Sequence, residues 1–164
     1  MLTLKDKRWF TQQVHPILDT LYRIAYTILG NDADAQDAAQ EAMEQAYRSL
    51  PKLKDRTRFR PWILKILKNE CYIILREKKR VIPFDNLPEE GIEPLDTLDL
   101  KNAFSKLSPE SRLCMTLYYY EGYSIPEIAA FLNEPVGTVK SRLSRARSAM
   151  RQDLTDQEVS HAEL

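Results

Sequence analysis

The apolar residues of this chain fall three or four positions apart, a spacing that builds helices and leaves no convincing strand. Phe10, Val14, Ile17, Leu21, Ile24 and Ile28 make a first series, which closes at Gly30-Asn31, a good helix stop. Ala35, Ala38, Ala39, Ala42, Met43, Ala46 and Leu50 then form one narrow stripe, whose small side chains let a neighbouring helix approach closely, and Pro51 ends it. Residues 52–60 read as a short basic loop. Pro61 suits the first turn of the helix that follows, because its missing N–H would have had no partner there. In that helix Trp62, Ile63, Ile66, Leu67, Ile73 and Ile74 are expected to point inward. At about 100° per residue, Lys65, Lys68, Asn69, Tyr72 and Arg76 gather on the opposite side as a basic, hydrogen-bonding and aromatic face.

Residues 81–100 break the pattern with Pro83, Pro88, Gly91, Pro94 and six acids, and read as an extended linker. Helical spacing returns with Leu100, Phe104 and Leu107, and Ser108-Pro109-Glu110-Ser111 starts a helix running through Leu113, Met115, Leu117 and Tyr118. The 164 residues are enough for two small domains. The expected fold is all-α: helical domains over residues 1–80 and 101–154, joined by the linker and followed by a frayed tail over 155–164.

Net charge is zero, but the charges are segregated. Asp32, Asp34, Asp37, Glu41 and Glu44 make an acidic block. Between residues 52 and 80 eleven Lys or Arg stand against Asp55, Glu70 and Glu77. The linker is acidic again, and residues 140–151 are purely basic. Blocks of this kind give different faces different partners, because local fields steer association. Cys71 and Cys114 stand alone and read as buried small apolar residues in a reducing compartment, and His15 and His161 are the only histidines, so no metal site or cofactor is expected. The polar start MLTLKDKRWF lacks the apolar run of a signal peptide, and no stretch approaches the roughly 20 apolar residues of a membrane span. A cytoplasmic protein is expected.

The strongest local signal lies in the second domain. Glu121-Gly122-Tyr123 breaks the chain, and Ser124-Ile125-Pro126-Glu127 follows as a capping box in which Ser124 bonds the amide of Glu127 and Glu127 reaches back. A short helix to Leu132, a turn at Asn133-Glu134-Pro135 and a second helix from about Gly137 to Met150 make a helix-turn-helix, whose second helix enters the major groove of DNA. On that helix Val139, Leu143, Ala146 and Met150 fall on the packing side. Ser141, Ser144, Arg145 and Ser148 centre on the other, flanked by Lys140, Arg142 and Arg147. Short polar residues with Arg reach base edges while the flanking cations hold phosphates.

These residues resemble a known family. SIPEIAAFLNEPVGTVKSRLSRAR, residues 124–147, resembles the fourth region of extracytoplasmic-function (ECF) sigma factors. DAQDAAQEAMEQAY, residues 34–47, with Phe59-Arg60-Pro61-Trp62 and Lys68-Asn69, resembles the second region of the same proteins. The resemblance implies a factor that brings core RNA polymerase to promoter DNA, with an anti-sigma protein as a further partner. It implies that Asp37, Gln40, Glu41 and Glu44 dock on the polymerase, and that Leu53, Lys54, Arg56, Arg58, Lys65 and Asn69 capture the opened −10 element. Lys140, Ser141, Arg142, Ser144 and Arg145 would read the −35 duplex. Met43 stands where the family often has an aromatic, Pro61 where it has a small residue, and Ser144 where it has a bulkier one.

Plainer readings stand beside these. Phe59 and Trp62 can fill the core of the first domain, Tyr118, Tyr119 and Tyr120 can be packing, and Asp37 and Glu41 can be a solvated face. A helix-turn-helix regulator acting without polymerase would explain residues 108–150 and leave the acidic helix and linker without a role. An enzyme would need a phosphate loop, a metal constellation or a nucleophile beside a base, and the sequence has none of these patterns.

Overall fold

The computed structural model describes residues 1–78 and 95–162, and the chain divides into two compact units, Met1–Pro83 and Phe84–Leu164. Residues 81–94 of the expected linker lie outside the described residues. The described residues are helical, with no strand among them.

In the first unit the helices are α1 (Leu4–Val14), α2 (Leu18–Leu29), α3 (Asp32–Ser49) and α4 (Phe59–Lys78). The long first series of apolar residues is two helices rather than one. Pro16 sits in a 3-10 turn, His15–Ile17, and without an amide hydrogen it cannot continue the α ladder. Gly30 takes a left-handed φ of 78° at the end of α2, and Asn31 caps α3 by accepting from the Asp34 amide at 2.9 Å, so two residues turn the chain back on itself. Ala35, Ala38, Ala42 and Ala46 are fully buried, and α3 packs on both α2 and α4. Small side chains at this seam let large ones opposite fill it. Leu21, Ile24, Ile28, Ile63, Leu64 and Leu67 do so, with Leu50 closing the end.

The inward face of α4 differs from expectation. Phe59, Ile63, Leu64, Leu67 and Cys71 are buried, whereas Trp62, Ile66 and Ile74 are half-buried and Ile73 is exposed. With Phe59 as first residue the buried stripe runs 59-63-67-71, and Ile73 lies about 200° around the helix from Cys71. Burial also pushes the Cys71 thiol up to about 12, which makes it an inert packing group.

The second unit holds α5 (Leu95–Ser105), α6 (Pro109–Met115), α7 (Ile125–Leu132) and α8 (Val136–Ala162). Helix α5 starts inside the expected linker, five residues ahead of Leu100. Helix α8 is the spine, packed against α5, α6 and α7. Val139 and Leu143 are fully buried with Leu113, Leu117 and Ile128, while Ala103, Leu107, Ala146 and Met150 form a second cluster covered by Phe104, Met115 and Leu154. Arg112 is buried and donates to the carbonyls of Ser105 (3.2 Å) and Leu107 (2.7 Å), satisfying the backbone where the chain turns from α5 to α6.

Residues 155–162 are not a frayed tail: α8 runs through them. Leu154 joins the α5 cluster. Beyond it Thr155 bonds the Arg151 carbonyl, Gln152 bonds Asp156, Gln157 bonds Asp153, and Asp153 pairs with Lys106. The tyrosines also depart from the packing reading. Residues Thr116–Tyr120 form a π-helical turn that leaves Tyr118 half-buried and turns Tyr119 (57% exposed) and Tyr120 (67% exposed) outward.

Candidate nucleic-acid and polymerase interface

The helix-turn-helix is built as its sequence requires. Ser124 Oγ accepts from the Glu127 amide at 3.3 Å and Glu127 Oε2 accepts from the Ser124 amide at 2.7 Å, which fixes the start of α7. The Ser124 bonds hold the Glu127 carboxyl below its ordinary pKa. Helix α7 ends on Asn133 at a left-handed φ of 55°, and α8 begins three residues later.

The two faces of α8 separate as the spacing predicts. Val139, Leu143, Ala146 and Met150 are buried; Lys140, Ser141, Ser144, Arg145, Arg147 and Ser148 are exposed. Arg147 donates to the Tyr119 hydroxyl at 3.0 Å. At the entrance of the helix, Gly137 faces open space.

Arg142, placed beside these residues by the spacing, is the exception in being half-buried and engaged within the protein. Its guanidinium turns back across the turn to Glu134, bonding both carboxylate oxygens (3.0 Å for the NH2 contact), and reaches the Cys114 sulfur at 3.9 Å. The side chains of Arg142 and Glu134 are only 17% and 29% exposed, so this is a half-buried bidentate clamp that raises the Arg142 pKa. It ties α8 to the turn. Sequence spacing could not reveal it, because a turn separates Glu134 from Arg142 and helical periodicity does not carry across one.

In the first unit Asp37, Gln40, Glu41 and Glu44 all lie exposed on one side of α3, opposite the alanine seam. Gln40 donates to Glu44 at 3.2 Å, and Arg48 pairs with Glu41 at 3.0 Å with both side chains more than half exposed. These contacts are weak and leave an acidic surface open to a cationic partner.

The basic segment is more ordered than a loop. Leu50–Lys52 and Arg56–Arg58 are 3-10 turns, the second capped by Asp55, whose carboxylate accepts from the amide (3.0 Å) and hydroxyl (2.6 Å) of Thr57. Lys54 and Arg58 are exposed and Leu53 is half-buried. Arg56 is held by Asp6 at 2.6 Å and lies 4.6 Å from the centre of the Trp9 ring, so it too is engaged within the protein. On α4, Lys65, Asn69 and Arg76 are exposed and Lys68 and Tyr72 half-buried, all on the outward side. Phe59 belongs to the core, 3% exposed, and Trp62 lies at its margin with ring centres 6.0 Å apart.

A further tie escaped the sequence reading. Asp34, buried at the start of α3, accepts from Lys78 Nζ through both oxygens at 2.6 Å and from Asn31 at 2.8 Å. Burial works against the charged carboxylate, yet the Lys78 and Asn31 bonds outweigh it and lower the pKa. The residues stand 44 positions apart. Local spacing carries no trace of such a pair.

Comparison with known proteins joins these surfaces. The family description "Sigma-70 region 2" matches residues 14–81, and "Sigma-70, region 4" matches residues 97–150. The chain is 31% identical over 171 residues to the ECF RNA polymerase sigma factor SigW of Bacillus subtilis, covering 92% of this chain and 91% of that one. It is 32% identical to the RNA polymerase sigma factor SigV of the same organism, over 85% of this chain and 87% of SigV. Among solved structures it resembles the sigma factor RpoE in complex with the anti-sigma factor NepR from Bartonella quintana, with a TM-score of 0.72, 27% identity, and 89% of this chain and 96% of that one covered. It also resembles CnrH in complex with the cytosolic domain of CnrY, with a TM-score of 0.68, 26% identity, and 92% and 90% covered. A regulator acting without polymerase is not favoured, because the region 2 match accounts for the acidic helix and the basic segment that such a protein would leave idle. The chain belongs to the ECF RNA polymerase sigma factors, which direct the polymerase to promoters.

Proposed function

We propose that the two units divide promoter recognition between them: α3 docks on core polymerase through Asp37, Gln40, Glu41 and Glu44; residues 53–58 with Lys65 and Asn69 capture the opened −10 strand; and α8 reads the −35 duplex. The observation that carries this reading is the split of α8 into a buried apolar side and an exposed side bearing Lys140, Ser141, Ser144 and Arg145. Arg145 and the serines suit base edges, and Lys140 suits a phosphate. Arg142 supports them by holding the helix in place. The domain bounds that serve this division are residues 1–80, 81–100 and 101–154, with α8 extending the last.

The factor works by binding, without catalysis of its own, in the cytoplasm where polymerase acts. Opening DNA costs a few kcal/mol per unstacked base, and binding the extruded base and its strand offsets that cost. RpoE and CnrH were each solved with a partner, the anti-sigma factor NepR and the cytosolic domain of CnrY. An anti-sigma protein is the corresponding partner here.

Promoter-specific RNA synthesis by purified core polymerase with and without this chain tests the reading. Transcripts should start at one position only when the chain is present. Transcription that ignores it would overturn the proposal.

A further inference from the structure

Helix α1 grips the segment assigned above to strand capture, although residues 4–13 of α1 precede the region 2 match, which begins at residue 14. Asp6 accepts from Arg56 across fifty residues of chain, and the Trp9 ring covers the same guanidinium. Both holders are themselves fixed. Asp6 also accepts from the amide (3.0 Å) and hydroxyl (2.8 Å) of Thr3, completing the capping box of α1. Trp9 meets the buried Phe59 edge-on, with ring centres 5.3 Å apart, at the point where the basic segment becomes α4.

Such an exposed grip adds little to the stability of a fold: the Arg56 and Asp6 side chains are 47% and 20% exposed. Its effect is on order. A segment that must freeze when ligand arrives loses roughly tenfold in affinity for each residue whose backbone is fixed at that moment. A segment frozen beforehand avoids that loss. Lys54 and Arg58 are then presented on a shaped turn, while Arg56 serves as the anchor.

We propose that Asp6 and Trp9 are positioning residues for −10 strand capture, holding Arg56 so that residues 53–58 are already shaped when single-stranded DNA arrives. The inference rests on the reading that this segment binds the strand.

The test uses the full chain with core polymerase and a labelled single-stranded oligonucleotide carrying the −10 element, alongside core association and thermal unfolding. Asp6→Asn keeps the shape of the cap and removes the charge; Arg56→Gln removes the other partner. Each should weaken strand binding about tenfold. The double variant should be no weaker than either single, because both break one grip. Trp9→Leu should fall in the same direction with some loss of melting temperature, because it also loses the contact with Phe59, whereas for Asp6→Asn and Arg56→Gln core association and melting temperature should stay as in the parent. The salt dependence of strand binding should also be unchanged. If Arg56 instead held a phosphate, Arg56→Gln would lower the salt slope by about 0.7 and its effect would add to that of Asp6→Asn; either result overturns the proposal. So does a parallel loss of core association, which would make α1 a purely structural helix. Failure of the parent protein to bind the −10 strand would overturn the assignment of the segment and the brace with it, whereas equal binding by the parent and Asp6→Asn overturns the brace alone.

Discussion

At the scale of the residue, two arginines show how a charge is assigned its work. Arg142 and Arg145 lie three apart on α8, yet Arg145 is exposed while Arg142 is half-buried in a bidentate clamp with Glu134. Arg145→Ala should cost about 1–3 kcal/mol at particular −35 base pairs, and Lys140→Ala should weaken all sequences and lower the salt slope by about 0.9. Arg142→Met should leave that slope unchanged and lower thermal stability, by about 1–3 kcal/mol, because Glu134 loses its partner in a half-buried setting. Duplex binding at several salt concentrations, with a melting curve for each variant, separates the three. The sequence made the outward face of α8 legible because burial on a helix follows a period; it did not reveal the Arg142–Glu134 clamp because a long side chain chooses its partner in space.

At the scale of the element, caps and breaks were readable and distant ties were not. The Ser124–Glu127 box, the Gly30-Asn31 turn and the alanine seam of α3 depend on neighbours within a turn or two, so spacing carried them. The inward face of α4 was misjudged because apolar content alone does not fix helical phase; Phe59 does, by entering the core at the first residue. The Asp34–Lys78 tie between α3 and α4 leads to a pH prediction. The folded pKa of Asp34 lies below its unfolded value of about 3.9, so its contribution is complete above that value and is lost as pH falls through the folded pKa. Asp34→Asn should cost about 1–2 kcal/mol near neutrality, and the gap from the parent should close below about pH 4 in denaturant titrations. A gap that persisted unchanged in acid would mean that the charge does not stabilise the fold.

At the scale of the whole molecule, the acidic, basic and recognition surfaces can be tested as separate functions. Asp37→Lys with Glu41→Lys reverses charge on an exposed face where Glu41 makes a solvated pair with Arg48, so folding should survive while polymerase association is lost. Asn69→Ala should leave polymerase association and −35 recognition near normal and reduce promoter opening, read by permanganate reactivity of unpaired thymines. Normal opening at limiting factor would remove Asn69 from the strand-binding set. That the chain holds two helical units was legible from the break in apolar spacing at the Pro- and acid-rich stretch, while the continuation of α8 beyond Met150 was hidden because Leu154 finds its place against the α5 cluster. That continuation has an evolutionary consequence. Val136–Ala162 is one uninterrupted helix of 27 residues, and each residue inserted in it would rotate everything downstream by about 100°. The outward face proposed to read DNA and the surface that clasps α5 are thus locked in phase, and on that reading promoter preference would drift by exchanging side chains such as Ser144 but not by lengthening or shortening the rod that carries them.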